Sequence, residues 1–159
     1  MRMLDVDLPF APSLHLCHVV LDLNGTIATD GVLNPGVSEA LIALPDTLTA
    51  HVVTADTHQV AEILRPQLPC ELTHLESDEP PAVAKAQLVA RLGADQCVVI
   101  GNGESDAGAM KIAGLAIGIL GEEGLATACL ANAKVVCRSA VDALGLLSTP
   151  KRLIGTLHG

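Results

Sequence analysis

Four short polar sets in this chain carry side chains able to do chemistry, and their order along the sequence is informative. The first is Asp22-Leu23-Asn24-Gly25-Thr26, directly after an apolar run. The second is Thr54-Ala55-Asp56, after Val52-Val53, and the third is Lys85, near the start of a helix-like stretch. The fourth is Gly101-Asn102-Gly103-Glu104-Ser105-Asp106, after residues 98–100. Asp22 and Asp106 are hard oxygen ligands of the kind that suits a Mg²⁺ ion keeping several waters. Gly25, Gly101 and Gly103 allow tight turns and close backbone approach to a ligand. Thr54 offers a hydroxyl donor and Lys85 a point charge, both suited to a phosphoryl group. Taken singly, each set has a plainer reading: an Asn-Gly turn, a helix N-cap, a solvated lysine, a glycine string without the third glycine of a dinucleotide loop. Taken together in this order, three of them directly after an apolar run and the lysine at a helix start, they point to one phosphate site.

The elements that would position these sets alternate along the chain. Apolar, β-branched-rich runs occur at 16–23, 48–54, 70–75, 97–100, 115–120 and 133–137. Helix-like stretches lie between them at 36–44, 57–64, 81–92, 105–113, 122–131 and 141–147. In 81–92 the apolar positions follow a period near 3.6 and end at Gly93. This alternation predicts an α/β, doubly wound, Rossmann-like parallel sheet, whose ligands bind outside the carboxyl ends of the strands. Residues 1–7, set apart by Pro9 and Pro12, predict an N-terminal β-hairpin extension at an edge, and Pro150 predicts a last helix through 157. No repeat or linker interrupts residues 1–159, which read as a single domain.

Composition narrows the functions available. Half of the residues are hydrophobic and 17% charged, which excludes a disordered chain. Nine basic residues against 18 acidic ones give a net charge of −9, which repels nucleic-acid backbones. With Phe10 as its one aromatic, the chain has no platform on which bases could stack. The N-terminus lacks the apolar core of a signal peptide, and no run has the length of a membrane span. Five well-separated cysteines (Cys17, Cys70, Cys97, Cys129, Cys137) read as small apolar residues of a reduced cytoplasm. The six histidines show no metal spacing; His58, just after the second set, is the one placed to reach the cleft.

These motifs resemble the haloacid dehalogenase (HAD) superfamily of phosphohydrolases, and within it the small soluble group similar to the phosphorylation domain of P-type ATPases. Asp22…Gly25-Thr26 resembles their Asp-Lys-Thr-Gly-Thr, Thr54-Ala55-Asp56 their Thr-Gly-Asp, and Gly101-Asn102-Gly103…Asp106 their Gly-Asp-Gly-x-Asn-Asp. The similarity runs from Leu16 to the C-terminus, including a tail like residues 142–157. It implies that Asp22 is the nucleophile of an aspartyl-phosphate mechanism. It implies that Asp22, Asp106, the main-chain carbonyl of Asn24 and, more weakly, Asn102 hold Mg²⁺. Thr54, Ala55 and Lys85 would bind the transferring phosphoryl group, with Leu23, Gly25, Thr26 and Asp56 lining the substrate loops.

Two positions depart from the family pattern. Asn24 stands where an Asp normally protonates the leaving group and then activates water, and an amide cannot shuttle a proton. Asn102 supplies a neutral amide where a metal carboxylate is usual. The resemblance therefore implies a slow phosphatase; the alternative is a catalytically attenuated domain that serves as a phosphate-binding or regulatory and assembly module. A dinucleotide-binding domain is a third reading, disfavoured by the late and incomplete glycine loop. Residues 27–53 and 55–84 leave no space for a cap domain, so the site should be open to a large phosphorylated substrate or closed by a second copy in a homo-oligomer.

Overall fold

The computed structural model describes residues 2–55 and 58–159. Its centre is a six-stranded, all-parallel sheet with strand order β10-β9-β8-β3-β6-β7. These strands are β3 (His18–Asp22), β6 (Thr49–Thr54), β7 (Glu71–His74), β8 (Cys97–Gly101), β9 (Leu115–Ile119) and β10 (Val135–Cys137). β3 pairs with β6 on one side and β8 on the other, from His18 onward in both ladders. The chain first winds outward through β6 and β7, then returns to wind the other way through β8, β9 and β10. The reversal lies between β3 and β8, which opens a crevice beyond their carboxyl ends.

Side-chain alternation divides the core into two layers. Val19 and Leu21 of β3, Val52 of β6 and Val98 and Ile100 of β8 face one way. They pack against α1 (Val37–Ile42), α2 (His58–Leu64), α6 (Ala140–Ser148) and α7 (Pro150–Leu157). Val20, Val53 and Val99 face the other way, onto α3 (Pro81–Leu92), α4 (Ala107–Ile112) and α5 (Thr127–Asn132). With period-two alternation, Asp22 shares the face of Val20 and therefore looks toward α3. Burial on both faces explains why these strands read as continuous apolar runs.

Several sequence expectations need correction. The run 16–23 is two strands: β2 (Leu14–Leu16) pairs antiparallel with β1 (Leu4–Val6), whereas β3 begins at His18. Cys17 joins them and still bonds to both sides, its N–H to the Gln96 carbonyl and its carbonyl to the Thr49 N–H. The N-terminal hairpin is present, but as a separate two-stranded ribbon rather than an addition to the edge of the large sheet. Hydropathy does not record such a change of partner. The stretch 122–131 is helical over Thr127–Asn132 alone, and a 3₁₀ turn at Glu104–Asp106 precedes α4. A small hairpin, β4 (Ala28–Thr29) with β5 (Val32–Leu33), follows the first polar set unannounced by the sequence pattern. It turns on Asp30 and Gly31, both at positive φ.

The five cysteines are free; Cys17, Cys97 and Cys129 are buried and the other two half-buried. No helix among the described residues is long and apolar enough to cross a membrane. Leu21, wholly buried at the centre of the sheet, is a direct test of this core. Leu21→Ala should lower the unfolding free energy by about 2–5 kcal/mol in urea titrations, against less than about 0.5 kcal/mol for Leu120→Ala at a largely exposed position.

Candidate active site

The site grows from the tip of β3. Gly25 turns the chain there at φ +79°, and its N–H donates to the Ala28 carbonyl at 2.8 Å. The Leu23 carbonyl accepts from the N–H groups of Thr26, Ile27 and Ala28, which ties the loop into a tight bend. The Leu23 side chain is buried in the core, so this predicted substrate residue offers only its backbone. A Cβ on Gly25 would collide with the Asn102 side chain, so conformation and space both require glycine.

Lys85 arrives from α3, whose N-terminal end lies at the carboxyl edge of the sheet. Pro81 opens the helix, and Ala84, Lys85 and Val89 form its buried side. The lysine is only 4% exposed, its stem packed on the inner face and its ammonium held by three oxygens. Nζ donates to Asp22 Oδ1 at 2.8 Å, Asp106 Oδ1 at 2.9 Å and Ser105 Oγ at 3.0 Å. The other Asp106 oxygen, Oδ2, accepts the Gly103 N–H at 3.1 Å. A Cβ at Gly101 would strike the Asp106 carboxylate, so β8 must end in glycine for the aspartate to fold back beneath it. Ser105 is a partner of the lysine that sequence reasoning passed over, although it lies inside the fourth polar set.

Of the other predicted residues, Thr54 is buried at the end of β6 and Ala55 half-buried beyond it. Asp56 lies outside the described residues, as does the side chain of His58. Asn24 is half-buried and bridges to Ala28. Asn102 bonds to two other loops. Its Nδ2 donates to the Gly124 carbonyl at 3.1 Å, and its Oδ1 accepts the Thr26 hydroxyl at 3.2 Å. The Gly124 carbonyl can only accept, which fixes the orientation of the amide. Asn102 and Thr26 thus staple three loops together.

Two carboxylates and one ammonium leave a net negative charge in a nearly closed space. Burial first, and then the Asp106 charge, push the Asp22 carboxyl up to about 7, against the opposing pull of Lys85. Burial alone would lower the Lys85 pKa, but Asp106 and Asp22 outweigh it and raise it above the ordinary lysine value. Two carboxylates against one ammonium leave a deficit of positive charge, which a divalent cation would meet. The donor set fits one that keeps part of its water: two carboxylates, with no group of three or more His, Cys, Asp or Glu ligands among the described residues. His18 and His51 form a pair at 3.1 Å near the amino end of β3 and within β6, both lowered by burial, and take no part here.

The raised Asp22 pKa has a testable consequence for the metal-free protein. Its ordinary value is 3.8 and its folded value about 7. The protonated form is therefore favoured by folding: the contribution is complete below pH 3.8 and is lost as pH rises through 7. In urea unfolding with chelator present, the stability of the native sequence relative to Asp22→Asn should fall between about pH 4 and about pH 7; a difference that stays flat across this window would contradict the electrostatics described here.

No protein-family model matches the chain. A stretch of 42 residues is 45% identical to an uncharacterized protein of Methanocaldococcus jannaschii, covering 96% of that protein and 26% of this chain. Solved structures align over far more. A 3-deoxy-D-manno-octulosonate 8-phosphate phosphatase from Moraxella catarrhalis, in complex with magnesium, phosphate and KDO, aligns over 89% of this chain and 92% of its own, with TM-score 0.67 and 15% identity. A phosphoserine phosphatase aligns over 83% and 99%, with TM-score 0.65 and 11% identity. A zinc-transporting PIB-type ATPase aligns over 78% of this chain and 20% of its own, with TM-score 0.63 and 20% identity. The chain belongs to one family with the archaeal protein, and its fold is that of a HAD family hydrolase from Streptomyces avermitilis (TM-score 0.65) and of the phosphatases above.

Proposed function

We propose that the protein is a Mg²⁺-dependent phosphohydrolase in which Asp22 attacks the phosphorus of a phosphomonoester. The observation that carries this reading is the buried cluster of Asp22, Lys85 and Asp106 at the crevice between β3 and β8. Structural likeness to phosphatases supports it, one of them solved with magnesium and phosphate.

Lys85 holds Oδ1 of Asp22 and so leaves Oδ2 as the attacking oxygen. A bond forms from Oδ2 to phosphorus as the bond from phosphorus to the leaving oxygen breaks. Lys85 then faces both the aspartyl-phosphate and its equatorial oxygens, while the Thr54 hydroxyl and the Ala55 N–H donate to those oxygens. Water attacks phosphorus in the second half, releasing phosphate and restoring the Asp22 carboxylate. Asp22, Asp106 and the Asn24 carbonyl would hold Mg²⁺, which supplies charge neutralisation for the transferring group. Asn24 has no proton to give or take, so the leaving oxygen takes its proton from water and the second half is unassisted. Both steps are slow in consequence.

A second reading is a phosphate-binding or regulatory module, because Asn24 cannot shuttle a proton and Asn102 brings a neutral amide already bonded to Thr26 and Gly124. Hydrolysis distinguishes the two. With Mg²⁺, the native sequence should release phosphate from p-nitrophenyl phosphate and small phosphoesters, and Asp22→Asn should lose this release; equal rates would reject the enzyme. Restoring the general acid–base with Asn24→Asp should raise kcat by on the order of 10²-fold. No increase, with the unfolding midpoint intact, would show that proton transfer does not limit turnover.

A further inference from the structure

A second cavity, of about 300 Å³, borders the nucleophile loop and has no part in the chemistry above. Gly25 and Thr26 of that loop line it, so the cavity opens one residue from Asn24. Most polar groups of its wall are already satisfied. Thr29 donates to the Asn34 amide oxygen at 2.8 Å, Asn34 reaches the Thr26 carbonyl at 3.5 Å, and the Ser139 hydroxyl accepts the Asp142 N–H at 3.1 Å.

Arg138 differs. It lines the cavity directly after β10, at the same carboxyl edge of the sheet as Asp22, and makes no side-chain hydrogen bond or ion pair among the described residues. Glu122 lines the same cavity without pairing with it. In a chain with twice as many acidic as basic residues, a guanidinium left without a carboxylate at this edge is available to a ligand. Its fork matches a carboxylate or phosphate in a bidentate pair.

Distances set the size of that ligand. β10 stands three strands from β3, or about 14 Å at roughly 4.8 Å per strand, and the cavity lies between. At about 30 Å³ per water the cavity holds the equivalent of about ten waters, enough for a hexose-sized group. Glu122 repels an anion on its own side, which leaves Arg138 as the anion's position and Glu122 as an acceptor for hydroxyls.

We propose that this cavity receives the leaving group of the phosphomonoester, and that Arg138 selects leaving groups carrying a second anionic group, a carboxylate or a further phosphate. The assignment rests on the hydrolytic reading above and gives it a substrate class.

Two matched pairs test it, with kcat/KM measured in Mg²⁺: 6-phosphogluconate against glucose 6-phosphate for a carboxylate, and fructose 1,6-bisphosphate against fructose 6-phosphate for a phosphate. At least one acidic member should be preferred tenfold or more over its mate, and the pair that shows this names the anion. Arg138→Gln should reduce that preference at least tenfold, through KM rather than kcat, and Arg138→Lys should restore part of it. Arg138 is exposed, so circular dichroism and the unfolding midpoint should match those of the native sequence. No preference in the native sequence, or a preference unchanged in Arg138→Gln, overturns the assignment and leaves the hydrolytic reading standing. Failure to hydrolyse all four esters and p-nitrophenyl phosphate overturns both.

Discussion

One ammonium group, that of Lys85, joins the parts of this molecule that matter. It sits between Asp22 and Asp106, with all three side chains nearly closed to water. A buried charge needs partners to offset its lost hydration, and burial pushes the Asp22 carboxyl up to about 7 even with the lysine beside it. The lysine supplies one positive charge for two negative ones. This leaves the site short of cations by its very composition, and a divalent ion or a protonated aspartate completes it. The remaining features serve to bring both carboxylates within 3 Å of the ammonium. They include a glycine that makes room for Asp106, a proline-led helix that places the lysine in its first turns, and a strand reversal that opens the crevice.

Much of this was readable beforehand, for a physical reason. A parallel sheet covered on both sides makes each strand a short apolar run, and each run ends at the edge where ligands bind. The polar residues after 21, 53 and 100 therefore belong to one edge on sequence grounds alone. Helix α3 has the bounds its periodicity predicts, 81–92, because nothing tertiary competes with its proline start and glycine stop. What escaped notice was governed by partner choice. Whether Leu16 and His18 pair in the same sheet depends on neighbours far away in sequence, and apolarity alone is the same for both. Hairpin β4–β5 has two residues in each strand, too few for any alternation to register.

The roles of the amides were hidden for a different reason. Asn102 and Thr26 were assigned by position within motifs, as a ligand and a substrate contact. Their hydrogen bonds to each other and to Gly124 depend on side-chain orientation in loops that meet only in the folded chain. Ser105 was visible as a residue of the fourth set, but its reach to Lys85 required the 3₁₀ turn that carries it. Asn24 is the reverse case: a single amide in place of a carboxylic acid is plain in the sequence, and its consequence is kinetic rather than geometric.

The central position of β3 has a consequence for how the molecule comes into being. Its two sheet neighbours are β6, which follows soon, and β8, which begins only at Cys97. Lys85 and Asp22 are 63 positions apart, and Asp106 comes later still. As the chain leaves the ribosome, the residues before β8 can form the outward half of the sheet, but one flank of β3 stays bare until β8 arrives. Such long-range pairing closes large loops before any contact rewards them, so collapse onto β8 should be the slow step of folding. Until then Asp22 lacks the Asp106 carboxylate beside it, and the acidic pocket is completed in the same event that seals the sheet.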